Sequence, residues 1–245
     1  MSIDMTVERM RAINDRYLMF HAMAESIDTD AGFTFSAKDN LTSKDMETCA
    51  GSKILIGYKP VFDATSIAKM REAGGCLMGK TNMDEFGFGT FSTNSGLEVP
   101  RNPYDLERAC GGSSGGSACA AAVFEDHVSL GVSTGGSICC PASFCGVYGI
   151  APTYGRVSRF GLIDYGNSLD KIGPLSAKAG DLRKYTRIIA GKDPRDPTSC
   201  VQPDMKDGYR KAQSVAVPKE GVEGLSDDVE KAFNNALETL KSMGV

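Results

Sequence analysis

Gly111–Pro141 reads GGSSGGSACAAAVFEDHVSLGVSTGGSICCP, and its order of loop, helix, strand and loop decides the fold class. The run Gly111 to Ser117 opens an alanine-rich stretch that predicts a helix over about 114–124. His127 to Val132 reads as a strand and ends in a second glycine-serine run, Ser133 to Ser137. Pro141 then begins a short helical stretch. Helix, strand and helix in succession indicate α/β architecture with a parallel or mixed sheet. The two runs also carry chemistry. Ser113 and Ser137 each sit among glycines, where backbone N–H groups and a hydroxyl can converge without side-chain interference. A nucleophile beside an oxyanion hole needs that geometry.

Working outward, the same alternation continues. Residues 5–25 have helical spacing, with Val7, Met10, Ile13, Tyr17 and Leu18 on one face. Phe33 to Ala37 predicts a short strand that delivers Lys38, within Lys38-Asp39-Asn40. Asp63 is placed to cap a helix through Thr65, Ile67, Met70 and Ala73, closed by Gly74-Gly75, and Cys76 to Met78 is a short buried strand. Residues 87–103 form a loop. Downstream come a strand at 146–150, a helix at 179–190 and a turn at 193–197. A strand at Val215 to Val217 precedes a helix at 226–243 capped by Ser226 and Asp227. Ending on Met243-Gly244-Val245, these last pieces are half of a β-α-β unit, so the sequence reads as a fragment with an incomplete sheet.

Composition narrows the classes. A chain of 245 residues, 41% hydrophobic and 24% charged, can bury a sizeable core. A net charge of −4 gives no electrostatic footprint for nucleic acid, although a partner could carry that surface. The 8 cysteines include no C-x-x-C pair and the 2 histidines, His21 and His127, lie far apart, so neither zinc nor a disulfide framework is expected. Buried reduced thiols, no metal and a cytoplasmic location are the expectations. No apolar run approaches the ~18–20 residues that span a membrane. The N-terminus, with Arg9, Arg11, Asp15 and Arg16, has no signal-peptide core.

Gly74-Gly75-Cys76-Leu77-Met78-Gly79-Lys80-Thr81 matches the phosphate-loop spelling G-x-x-x-x-G-K-[ST]. Its context is wrong, because a helix precedes it, the strand lies inside it, and a loop bearing Asp84 and Glu85 follows. A serine nucleophile needs a base. Neither histidine has a flanking motif, and both read as structural. A buried lysine can serve, since desolvation favours its neutral form. The glycine loops could instead cradle an anion at a helix start.

Lys38-Asp39-Asn40, Gly111 to Ser117 and Gly131 to Pro141 together resemble the amidase signature family, which uses a Ser-cisSer-Lys set. Gly79 to Phe86 (GKTNMDEF), Arg101 to Arg108 (RNPYDLER) and Pro141 to Leu175 resemble one subgroup. That subgroup is the A subunits of glutamyl-tRNA(Gln)/aspartyl-tRNA(Asn) amidotransferases. The similarity is dense from about 33 to 200. It implies an amidase-signature fold, a mixed central sheet covered by helices on both faces, with its C-terminal part missing. Residues 1–30 would be an N-terminal helical segment and 31–245 the N-terminal part of a single amidase domain.

By the same resemblance Ser137 is the nucleophile and acyl-ester carrier. Ser113 is the bridging serine, held by a cis peptide bond to Ser114 or to Gly112, and Lys38 is the terminal base. Thr134, Gly135 and Gly136 supply oxyanion and substrate contacts. The substrate would be glutamine, hydrolysed to send ammonia through a channel to a B subunit. There ATP and Mg²⁺ activate a misacylated tRNA, with a C subunit bracing the pair; this chain itself would need no cofactor. Two features depart from the family: Ser133 stands where most members have Asp, and Cys139 where they have Arg. Loss of that ion pair questions the rigidity of the nucleophile loop. Subgroup members are also much longer, and their further length includes residues that grip the glutamine backbone. Two rival readings stay open, a stand-alone amidase acting on a small amide and an inactive truncated fragment.

Overall fold

In the computed structural model, which describes residues 5–201, 203 and 213–245, the chain forms two compact units, the first ending at Pro203. The first unit is built on a six-stranded sheet. Its elements are α1 (Val7–Tyr17), β1 (Phe20–Met23), β2 (Phe33–Lys38), α2 (Thr65–Glu72), β3 (Gly75–Thr81), α3 (Gly115–Val123), β4 (His127–Ser133), α4 (Cys139–Phe144), β5 (Tyr148–Gly149), β6 (Lys171–Ser176) and α5 (Ala179–Ile189). The strand order is β1-β3-β2-β4-β6-β5. β2 pairs in parallel with both β3 and β4, while β1, β6 and β5 join antiparallel, so the sheet is mixed.

Burial explains the layers. Every residue of β2 is buried, as a central parallel strand must be. Phe33, Phe35, Val128, Leu130 and Ile172 pack with Ile67 and Met70 of α2 and Tyr185 and Ile189 of α5. Met78 and Leu175 pack on the other face with Met10 of α1, Ala118 to Ala121 of α3 and Ala142 of α4. Small side chains let α3 lie close to the sheet. Helices therefore cover both faces of the mixed sheet, the α/β layering expected from sequence.

The path through the sheet positions the site. From β2 the chain crosses through α2 to β3 on one side, then through α3 to β4 on the other. Open α/β sheets form a crevice where such connections diverge, at the carboxyl ends of the strands. Lys38 ends β2, and Ser133 ends β4 at the same edge.

Several local expectations are corrected. The helix expected over 5–25 stops at Tyr17, because Leu18 turns left-handed (φ 52°) and Phe20–Met23 becomes an edge strand on β3. Thr6 caps α1 by accepting from the Arg9 amide at 3.1 Å. Asp63 does not cap α2; its carboxylate takes the Lys44 amide and pairs with Arg71, and Ala64 occupies the cap position. α4 begins at Cys139, two residues before Pro141. The second unit is described from 213 to 245 and contains α6 (Asp227–Ser242). Ser226 holds its N-cap position without a side-chain capping bond. Val215–Val217 is not a strand: a strand needs a ladder partner for its backbone groups, and none pairs with it among the described residues. No helix among the described residues is long and apolar enough to cross a membrane.

Candidate active site

Lys38 is carried to the sheet edge by β2, and its side chain is 1% exposed. Its Nζ donates to Ser113 Oγ at 2.7 Å and to the Val132 carbonyl at 3.2 Å. Burial pulls the ammonium down from 10.5 to about 7, against the opposing fields of Asp84 and Asp170. The fold thus holds an amine that exchanges a proton near neutral pH on a buried serine hydroxyl.

Ser113 is buried, and the cis peptide bond lies between Gly112 and Ser113, which decides between the two positions left open by sequence. The glycines around it are set by close approach. A Cβ on Gly112 would lie 2.6 Å from the Ser92 amide nitrogen and overlap the Asp84 carboxylate; one on Gly116 would lie 2.5 Å from the Asn82 carbonyl. Asp84 in turn accepts the amides of Ser92 and Asn94 at 3.0 and 2.9 Å, and Ser92 Oγ accepts the Gly115 amide at 2.9 Å. Ser114 Oγ donates to the Val132 carbonyl at 3.1 Å, locking the first loop to β4.

The second loop differs. Thr134 and Ser137 are half-buried, whereas Gly135 and Gly136 are exposed. A Cβ on Gly135 would meet nothing within 4 Å. Asp170 and Lys171 hold the loop at its base. Thr134 Oγ1 donates to Asp170 Oδ1, and Lys171 Nζ donates to the Thr134 carbonyl at 3.0 Å. The other Asp170 oxygen accepts the amides of Tyr165 and Gly166 at 2.8 and 2.9 Å. Where the family pattern would have an ion pair, Ser133 is buried and its hydroxyl donates to the Gly135 carbonyl at 3.1 Å, while Cys139 is exposed.

Of the predicted residues, Lys38 and Ser113 are joined directly. Ser137, Thr134, Gly135 and Gly136 share the adjoining loop that leaves β4, and no hydrogen bond joins Ser137 to Ser113 among the described residues. His127 lies inside the sheet between Thr34 Oγ1 and Ser36 Oγ, each at 2.9 Å, and burial holds its ring neutral, with a pKa of about 3. Lys80, the lysine of the phosphate-loop spelling, is buried on Asp39 at 3.3 Å and on Thr48 at 2.9 Å, inside β3. A phosphate could not reach it there, so that stretch does not fit a nucleotide.

Sequence reading missed Asp84, Asp170 and Lys171. Register gives the last one a signal in hindsight: Lys171 pairs with Ser133 across β4 and β6, one residue before Thr134.

Known proteins resemble this chain over most of its length. The Amidase family model matches residues 18–245. The A subunit of a glutamyl-tRNA(Gln) amidotransferase from Anaeromyxobacter sp. (strain K) is 46% identical over 220 residues, 87% of this chain and 44% of the relative. Its namesake from Archaeoglobus fulgidus is 47% identical over 211 residues, 86% of this chain and 46% of the relative. The crystal structure of the Thermotoga maritima protein of the same name superposes with a TM-score of 0.88 at 38% identity, covering 95% of this chain and 54% of that one. The chain spans about half the length of the curated relatives it matches.

Proposed function

The chain belongs to the amidase family, and from that premise we propose that it carries the amide-cleaving centre of a glutamine-hydrolysing component of a tRNA-dependent amidotransferase. The observation that carries this reading is the 2.7 Å bond between Lys38 and Ser113 in a buried pocket that brings the amine to about 7. Neutral Lys38 takes the Ser113 proton as Ser113 takes one from Ser137. Ser137 Oγ attacks the carboxamide carbon of glutamine. The oxyanion is met by backbone N–H groups of the Thr134–Ser137 loop, where each donor lost costs about 3–4 kcal/mol of barrier. The relay returns a proton to the departing ammonia. Water, deprotonated by the same relay, then releases glutamate.

The space beside Gly135 and Gly136 supports this, because a substrate carboxamide can approach the backbone where no Cβ intervenes. The relatives' name supports a misacylated Glu-tRNA(Gln) as the ultimate acceptor of the ammonia. Activation of the misacylated tRNA with ATP and Mg²⁺ then belongs to a partner B subunit, with a C subunit bracing the pair. Ser137→Ala should lower glutamine hydrolysis by about 10⁴-fold or more when the chain is assayed with its partner subunits, leaving its melting temperature unchanged. Activity retained in that variant would contradict the assignment. Amide hydrolysis that ignores partner subunits or charged tRNA would instead favour a stand-alone amidase.

A further inference from the structure

We propose that His21, Glu47 and Cys49 form a binding site for zinc or a similarly thiophilic divalent transition-metal ion. They come from two parts of the chain. His21 lies on edge strand β1, and Glu47 and Cys49 lie in the loop that follows β2. One nitrogen, one carboxylate oxygen and the sulfur all fall within 4.8 Å of one another. Cys49 Sγ already lies 3.2 Å from Glu47 Oε1, and tetrahedral zinc with ordinary bond lengths sets such a pair about 3.5 Å apart.

An orphaned atom argues for an occupant. His21 Nε2 is buried and has no hydrogen-bond partner. Buried polar atoms are nearly always paired, and an ion is one way to satisfy such a nitrogen. The donor set selects the ion: imidazole with thiolate suits zinc and its neighbours and disfavours magnesium or calcium. The Gly57 amide donates to Glu47 Oε1 and fixes the carboxylate, the outer contact that ligands of a built site carry. Glu47 also lines an open cleft of about 560 Å³ with Ala22, Met46 and Lys59, so one of the three ligands faces that cleft. On binding, the thiol proton leaves to solvent and sulfur donates as thiolate.

Linear spacing hid this site, since no local Cys/His motif exists and the sequence pointed away from zinc. Its place in the fold gives it a consequence. The Cys49 amide donates to Asp39 at 3.0 Å, next to Lys38, so an ion there would tie β1 to the segment that follows the catalytic lysine.

The test is cobalt(II) added to the chelator-stripped 245-residue chain, followed by absorption spectroscopy. One equivalent should produce a thiolate-to-cobalt charge-transfer band and four-coordinate d–d bands, both displaced by zinc. His21→Ala and Glu47→Gln should each weaken binding tenfold or more, with unchanged near-UV circular dichroism. Cys49→Ser should abolish the charge-transfer band. His21→Ala is the decisive variant, because His21 is only half-buried and its loss leaves the core intact. Absence of the band in the parent, or binding to His21→Ala as tight as to the parent, would overturn the proposal by assigning the signal to other thiols.

Discussion

The two glycine-serine loops look alike in sequence and are opposite in structure. In the first, Gly112, Gly115 and Gly116 are required by neighbouring chain, since a Cβ on any of them would strike the 82–92 segment. Its Ser113 and Ser114 are buried and committed to Lys38 and Val132. In the second, Gly135 faces open space, a Cβ on Gly136 would make only ordinary contact with Cys140, and the loop is held at its base by Asp170 and Lys171. A closed loop suits a residue that only relays a proton. An open one suits a nucleophile that a substrate must reach.

Substitutions can break that contrast. Gly112→Ala should cost about 3 kcal/mol or more of stability, because a backbone nitrogen and the Asp84 carboxylate cannot both retreat. Chemical denaturation measures it; a cost under about 0.5 kcal/mol would mean the first loop is not closed. Asp170→Asn should lower kcat about 100-fold with little change in melting temperature, since misplacing a reacting group by about 1 Å costs that much. An unchanged kcat would free the second loop from its anchor.

The pH profile sharpens the relay. The proposed relay requires a neutral Lys38, so kcat/KM should fall about tenfold per unit below pH 7 and level above it. The sign for stability follows the same group. Its folded value lies below the unfolded one, so the burial penalty is full below about pH 7 and fades as pH rises towards 10.5. A rate flat from pH 5 to 8 would remove Lys38 as the base. The smallest effect is expected for Gly135→Ala. Stability should stay within about 0.5 kcal/mol while the KM for the amide substrate rises several-fold, as a methyl fills space meant for the ligand.

Much of this was legible in the sequence. Gly111–Pro141 gave the helix, strand and loops, and the lysine motif gave the end of β2. What was hidden has physical causes. β6 contains Gly173 and Pro174, residues that disfavour a strand interior, yet it pairs antiparallel with β4 and carries Ile172 and Leu175 into the two cores. The break after α1 rests on a left-handed leucine at residue 18, a conformation leucine does not advertise. Asp170 acts on Thr134 only through register, across a strand pair that spacing alone does not join. The terminal strand expected at 215–217 failed because a strand is a property of a pair.

The most direct test uses a fluorophosphonate, which esterifies only an activated serine and releases fluoride. The chain is labelled and the modified residue located by peptide mass spectrometry, alongside Lys38→Met. The account predicts label on Ser137 alone, lost in Lys38→Met. Label on Ser113, or equal labelling without Lys38, would contradict it.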